Sequence, residues 1–149
     1  MILKKIRYLL CAYLSIGFAK LLFVEIPPIV SVTAIILRDQ KVLCVDLSYF
    51  KGLGLPGGLI TADEEPTEAL AREVKEETGF TVTRSIFLGT ASAPFRNLSS
   101  LTLVYLVDVT GTMKASQEGT LLWLDPKEAY LKLTYPNAQL AIKRFVNKN

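Results

Sequence analysis

Histidine is absent from this chain, which excludes Ser-His and Cys-His catalysis and any histidine-ligated metal. Cysteine is scarce. Cys11 and Cys44 fall in separate apolar runs, match neither a zinc pattern nor a disulfide framework, and read as buried reduced thiols. Acid–base or metal chemistry therefore falls to carboxylates, and oxygen ligands favour Mg²⁺ or Mn²⁺ over Zn²⁺. A broad charge excess is also missing. The net charge of +3 belongs to residues 1–28, where Lys4, Lys5, Arg7 and Lys20 face Glu25 alone. The neutral remainder has no electrostatic footprint for a nucleic-acid polymer. With half of its 149 residues hydrophobic, the chain suits one globular domain with its own core.

What is present falls into two parts, an apolar N-terminal segment (1–28) and a domain (29–149). Residues 1–24 open with a basic cluster followed by an apolar run, and Pro27-Pro28 ends any helix there. Three readings stand side by side: a membrane-spanning or in-plane helix, an accessory helix packed on the domain, and an export signal. Contact with a membrane from the cytoplasmic side is the first expectation, with export behind it.

From residue 29 the chain alternates strand and helix signals. Ile29–Leu37 and Lys41–Leu47 are rich in β-branched and apolar residues, and the turn at Arg38-Asp39-Gln40 predicts a hairpin between them. A loop over 48–54 leads to Leu55-Pro56-Gly57-Gly58, which breaks regular structure. A helix follows, with Asp63 or Glu64 as its cap, Pro66 in its first turn and Gly79 just past its end. Strands over 80–91, 101–109 and 121–124, then helices from Pro126 and Asn137, complete an α/β (α+β) pattern with a mixed sheet.

The helix carries the anomaly. Seven of the fourteen acidic residues lie between Asp63 and Glu77. Like charges at i, i+3 and i+4 repel, and Glu73, Glu76 and Glu77 have that spacing. On a helical wheel Leu70, Val74, Thr67, Ala71 and Thr78 share one face, and the three glutamates form a stripe beside it at the rim. A solvated acidic face is the plain reading; a divalent-cation site is the sharper one.

The run Gly58-x5-Glu64-x7-Arg72-Glu73-Val74-x-Glu76-Glu77-x-Gly79-Phe80 resembles the Nudix box at every specified position. The Leu55-Pro56-Gly57-Gly58 lead-in is similar as well, and so, loosely, is Glu118-x4-Trp123-x4-Glu128. Leu53 departs from the pattern, standing where related proteins often have Trp. The resemblance implies an α/β/α sandwich, here with an additional N-terminal apolar helix. It also implies hydrolysis of a diphosphate bond in a nucleoside diphosphate linked to another moiety, such as a nucleoside triphosphate, ADP-ribose or a sugar nucleotide. It further implies that Glu73, Glu76 and Glu77, with the Gly57 carbonyl, hold Mg²⁺ or Mn²⁺, while Arg72 and Glu64 orient the carboxylates and Gly58 and Gly79 shape the loop and helix end. Glu73 is the first candidate for the general base and Glu118 the second. Tyr49, Phe50, Phe95 and Arg96 are weaker candidates for contacts with a nucleotide. A homodimer is compatible with this reading. The alternative is a non-catalytic nucleotide-binding or membrane-tethered module on the same fold.

Overall fold

A computed structural model describes residues 27–47, 52–94, 98–114 and 119–146, with Leu14 as an isolated position. The expected N-terminal helix, Tyr49, Phe50, Phe95, Arg96 and Glu118 lie outside the described residues. Among the described residues, no helix is long and apolar enough to cross a membrane.

Among the described residues, eight strands form two four-stranded sheets. They are β1 (Ile29–Ile35), β2 (Leu37–Arg38), β3 (Lys41–Leu47), β4 (Gly52–Gly54), β5 (Gly57–Leu59), β6 (Thr81–Ser92), β7 (Ser100–Thr110) and β8 (Gly119–Leu124). The helices are α1 (Pro66–Thr78), α2 (Pro126–Lys132) and α3 (Pro136–Val146). The first sheet runs β5-β1-β7-β6, with β1 parallel to β7 from Ile29 opposite Ser100 to Ile35 opposite Leu106. The second is antiparallel, with β3 pairing β2, β4 and β8.

The expected hairpin is therefore only partly formed. The chain leaves the first sheet at Ile36, and only Leu37 and Arg38 ladder back onto Val42 and Lys41. Most of β1 serves the other sheet, where both of its faces are covered. Alternation shows this directly: Val32 and Ala34 pack on the α1 side, while Ile35 packs on the α2–α3 side. The mixed sheet of the α+β sequence reading is the first sheet, a second, antiparallel sheet accompanies it, and part of the expected loop over 48–54 is strand β4, where Leu53 donates its N–H to Thr134 Oγ1 at 3.1 Å.

Each helix side has its own core. Leu70, Val74 and Phe80 are fully buried with Leu43 and Val107; Ile142, Leu133 and Ala141 are buried with Val42, Cys44 and Val104. Trp123 joins the first of these cores from β8, opposite Leu43, and the Arg38 guanidinium lies 5.0 Å from its ring centroid. That contact gives Trp123 a packing role. A polar chain crosses the parallel pair: Asn137 Nδ2 donates to Ser100 Oγ at 2.9 Å and to Thr102 Oγ1 at 2.7 Å, and Thr102 meets Ser31 at 2.8 Å. It ties the start of α3 to β7 and β1.

Cys44 is fully buried, and burial, reinforced by the charge of Glu128, pushes its thiol up to about 12. The thiolate is the reactive form. Cys44 in the native protein should therefore resist iodoacetamide at pH 8 and become labelled in urea, as read by mass spectrometry of its peptide. Equal labelling in both conditions would contradict this packing.

Candidate active site

The site forms where β5 passes over α1. Helix α1 starts one residue after Glu65, whose side chain and that of Glu68 satisfy each other's backbone N–H groups in a reciprocal box. The cap is thus Glu65, not Asp63 or Glu64. Pro66 occupies the first turn, and Gly79 ends the helix in the left-handed region at φ 77°, as the sequence predicts. The released Glu64 carboxylate turns toward the helix face.

The acidic stripe is not at the rim. Glu73 and Glu77 are 4% and 5% exposed, while Thr67 of the expected core face is exposed and Ala71 only half-buried. The wheel placed the angles correctly but could not show that β5 lies over the stripe. Burying carboxylates is costly unless they are paired or hydrogen-bonded. Glu77 Oε2 accepts the Gly57 N–H at 3.0 Å. Glu73 Oε1 accepts Arg72 Nη1 at 2.6 Å, and Glu76 Oε2 lies 3.8 Å from the same nitrogen.

Close approach requires the paired glycines. A Cβ at Gly58 would stand 2.5 Å from the Glu73 carboxylate, so only glycine leaves room for that group beneath the loop. A Cβ at Gly57 would stand 2.2 Å from the Val32 carbonyl oxygen, because β5 is laddered tightly against β1.

Arg72 links loop and helix more fully than its position on the wheel implied. Its Nε and Nη2 donate to Glu64 Oε1 and Oε2 at 2.7 and 2.9 Å, and Nη2 also reaches the Leu59 carbonyl at 3.1 Å. These bonds hold the Glu64 carboxyl well below its ordinary value of 4.5, at about 2, with donors from Thr61 adding to the effect of Arg72. A depressed carboxylate contributes stability above its unfolded value and loses it as pH falls through the folded one. Glu64 should thus contribute acid lability between about pH 4.5 and 2, and Glu64→Gln should flatten urea-measured stability over that window. An unchanged slope would refute the pairing.

Thr61 is the residue the sequence reading missed. Its N–H and Oγ1 both donate to Glu64 Oε2, at 3.1 and 2.8 Å. The signal was a Thr three residues before a Glu at a helix entry.

The structure brings Glu64, Arg72, Glu73 and Glu76 around one guanidinium and sets Glu77 on Gly57. Among the described residues, no three acidic or thiol side chains are drawn into a single ligand cluster. The donor set nonetheless suits a hard cation: it consists of carboxylate oxygens, and the Gly58 cradle seats one of them under the loop. Three carboxylates face one arginine, so an added cation would complement the remaining charge.

The chain matches the NUDIX domain family model over residues 27–145. It is 38% identical over 89 residues to the ADP-ribose pyrophosphatase of Methanocaldococcus jannaschii, a match covering 56% of this chain and 53% of that protein. The chain thus spans about half the length of that relative. It is 33% identical to the CTP pyrophosphohydrolase of Escherichia coli over 112 residues, covering 72% of this chain and 81% of that protein. The crystal structure of a MutT protein from Methanosarcina mazei superposes with a TM-score of 0.73 at 27% identity, covering 85% of this chain and 98% of the other.

Proposed function

The chain belongs to the Nudix family, and from that membership we propose that it hydrolyses a diphosphate bond in a small nucleotide, a nucleoside triphosphate foremost. The observation that carries this reading is the pair of buried carboxylates, Glu73 and Glu77, held beneath Gly57 and Gly58 beside the Arg72 guanidinium. The relative named a CTP pyrophosphohydrolase matches most of both chains, which favours a nucleoside triphosphate. ADP-ribose is the second reading, favoured by the higher identity to the archaeal pyrophosphatase.

Glu73, Glu76 and Glu77, with the Gly57 carbonyl, would hold Mg²⁺ or Mn²⁺. Bound there, such a cation supplies positive charge to diphosphate oxygens and lowers the barrier to attack by water. The chain's own part is positional and acid–base. Arg72, clamped by Glu64, fixes Glu73 and stands beside Glu76. Glu73 is the proposed base that takes the proton of the attacking water. Glu118, outside the described residues, is the second candidate.

The test is hydrolysis of a panel (CTP, the deoxynucleoside triphosphates, ADP-ribose and a sugar nucleotide) with Mg²⁺ or Mn²⁺, and with product identification. Nucleoside monophosphate plus pyrophosphate from a triphosphate supports the first reading. Turnover of ADP-ribose alone supports the second. Saturable nucleotide binding without hydrolysis would replace both with a binding module. A cytoplasmic setting, where these nucleotides are held, is part of the proposal. Contact of residues 1–24 with a membrane rests on their composition alone, and fractionation of the full chain against one starting at Ile29 tests it.

A further inference from the structure

We propose that Thr61 is a positioning residue that keeps the Arg72 guanidinium shared between Glu64 and Glu73, so that the helix carboxylates stay available to a divalent cation. The inference rests on the metal reading above and concerns a residue at a position that the box pattern leaves unspecified. Glu64 Oε2 accepts three donors: Thr61 N–H at 3.1 Å, Thr61 Oγ1 at 2.8 Å and Arg72 Nη2 at 2.9 Å. With Oε1 on Arg72 Nε at 2.7 Å, the carboxylate is gripped from both sides and meets the guanidinium as a fork. Two arginine nitrogens are thereby committed to Glu64, and Nη2 is also tied to the Leu59 carbonyl. Nη1 is directed at Glu73 and Glu76.

The consequence is competitive. A cation and a guanidinium seek the same carboxylate oxygens. While Glu64 is fixed, Arg72 divides its N–H groups between Glu64 and Glu73. If Glu64 is released, the fork can rotate toward Glu73 and Glu76, which already lie at Nη1. Arginine would then occupy oxygens that the metal needs. Thr61 acts through two intermediaries, Glu64 and Arg72.

Mn²⁺ alone is the probe, with free ion counted by electron paramagnetic resonance in titrations of the full chain. Thr61→Val removes the Oγ1 donor and keeps shape and backbone N–H; Thr61→Ser restores the hydroxyl. One charge-assisted bond in an exposed setting sits at the lower end of its usual worth, so Thr61→Val should raise the Mn²⁺ Kd about threefold to tenfold. Thr61→Ser should return within about twofold of wild type, the margin expected of a restored bond. A purely structural role would lower Tm in Thr61→Val while leaving the Kd in place, and that result overturns the inference. Equal Kd in wild type and Thr61→Val with unchanged Tm, or a Thr61→Ser as weak as Thr61→Val, overturns it too. A wild-type chain that binds no Mn²⁺ overturns the metal reading and the inference together, which separates the two failures.

Discussion

Glu77→Gln is expected to lower kcat/KM by at least about a hundredfold while leaving the fold in place, in line with the loss of one preorganised electrostatic partner at a reacting charge. Glutamine keeps the volume and one carbonyl oxygen, so the Gly57 N–H retains an acceptor and the packing under β5 persists. What disappears is the negative charge. A metal site built from oxygen donors depends on that charge, and the wild-type burial of Glu77 means that few waters can replace it. Glu76→Gln, at a more exposed position beside Arg72, should lose activity in the same direction. Glu68→Gln is the control. Glu68 is another carboxylate on the same helix, but its side chain serves the Glu65 N–H at the helix entry. It should stay within about threefold of wild type, because a cap-region change acts on stability by about 1 kcal/mol and not on reacting charge. Steady-state kinetics with Tm measured alongside decide the matter. If Glu77→Gln and Glu68→Gln behave alike, the buried acidic stripe takes no part in the reaction and the proposed site fails.

The sequence made the local part of this site readable, because the signals there are local. Pro66 and Gly79 bracket α1 through backbone preferences that need no partner. The stripe of Glu73, Glu76 and Glu77 follows from 100° per residue alone. What the sequence hid depends on chain brought from elsewhere. Glu73 and Glu77 are buried because β5 covers them, and β5 is placed by pairing with β1, which in turn pairs with β7. No periodicity within Ile29–Leu37 distinguishes a strand that ladders onto its neighbour in sequence from one that ladders onto residues 100–106. The cap shifted to Glu65 for a related reason. Three consecutive acidic residues could each cap the helix, and the choice followed from Glu64 being taken by Arg72 and Thr61.

The paired glycines allow stability and activity to be separated by one methyl group placed at adjacent positions. At Gly57 the added Cβ would meet backbone: the Val32 carbonyl oxygen at 2.2 Å and the Thr33 Cα at 2.8 Å, with φ at 150°. Neither atom can move without opening the β1–β5 ladder. Strain of this kind together with overpacking should destabilise Gly57→Ala by about 3 kcal/mol, seen as a lower urea midpoint. At Gly58 the added Cβ would meet a side chain, the Glu73 carboxylate at 2.5 Å. A side chain can rotate away, so Gly58→Ala should cost less than about 1.5 kcal/mol, the range of an off-rotamer displacement. Rotation, however, takes Glu73 out of its cradle and off Arg72 Nη1, so activity should fall by at least about tenfold, the lower end of what disturbing a ligand's support costs. The expected pattern is therefore crossed: the larger stability loss at Gly57 and, per unit of folded protein, an activity loss at Gly58 that its stability does not explain. Activity at Gly58→Ala equal to wild type would show that the position of Glu73 beneath the loop is not what the chemistry needs.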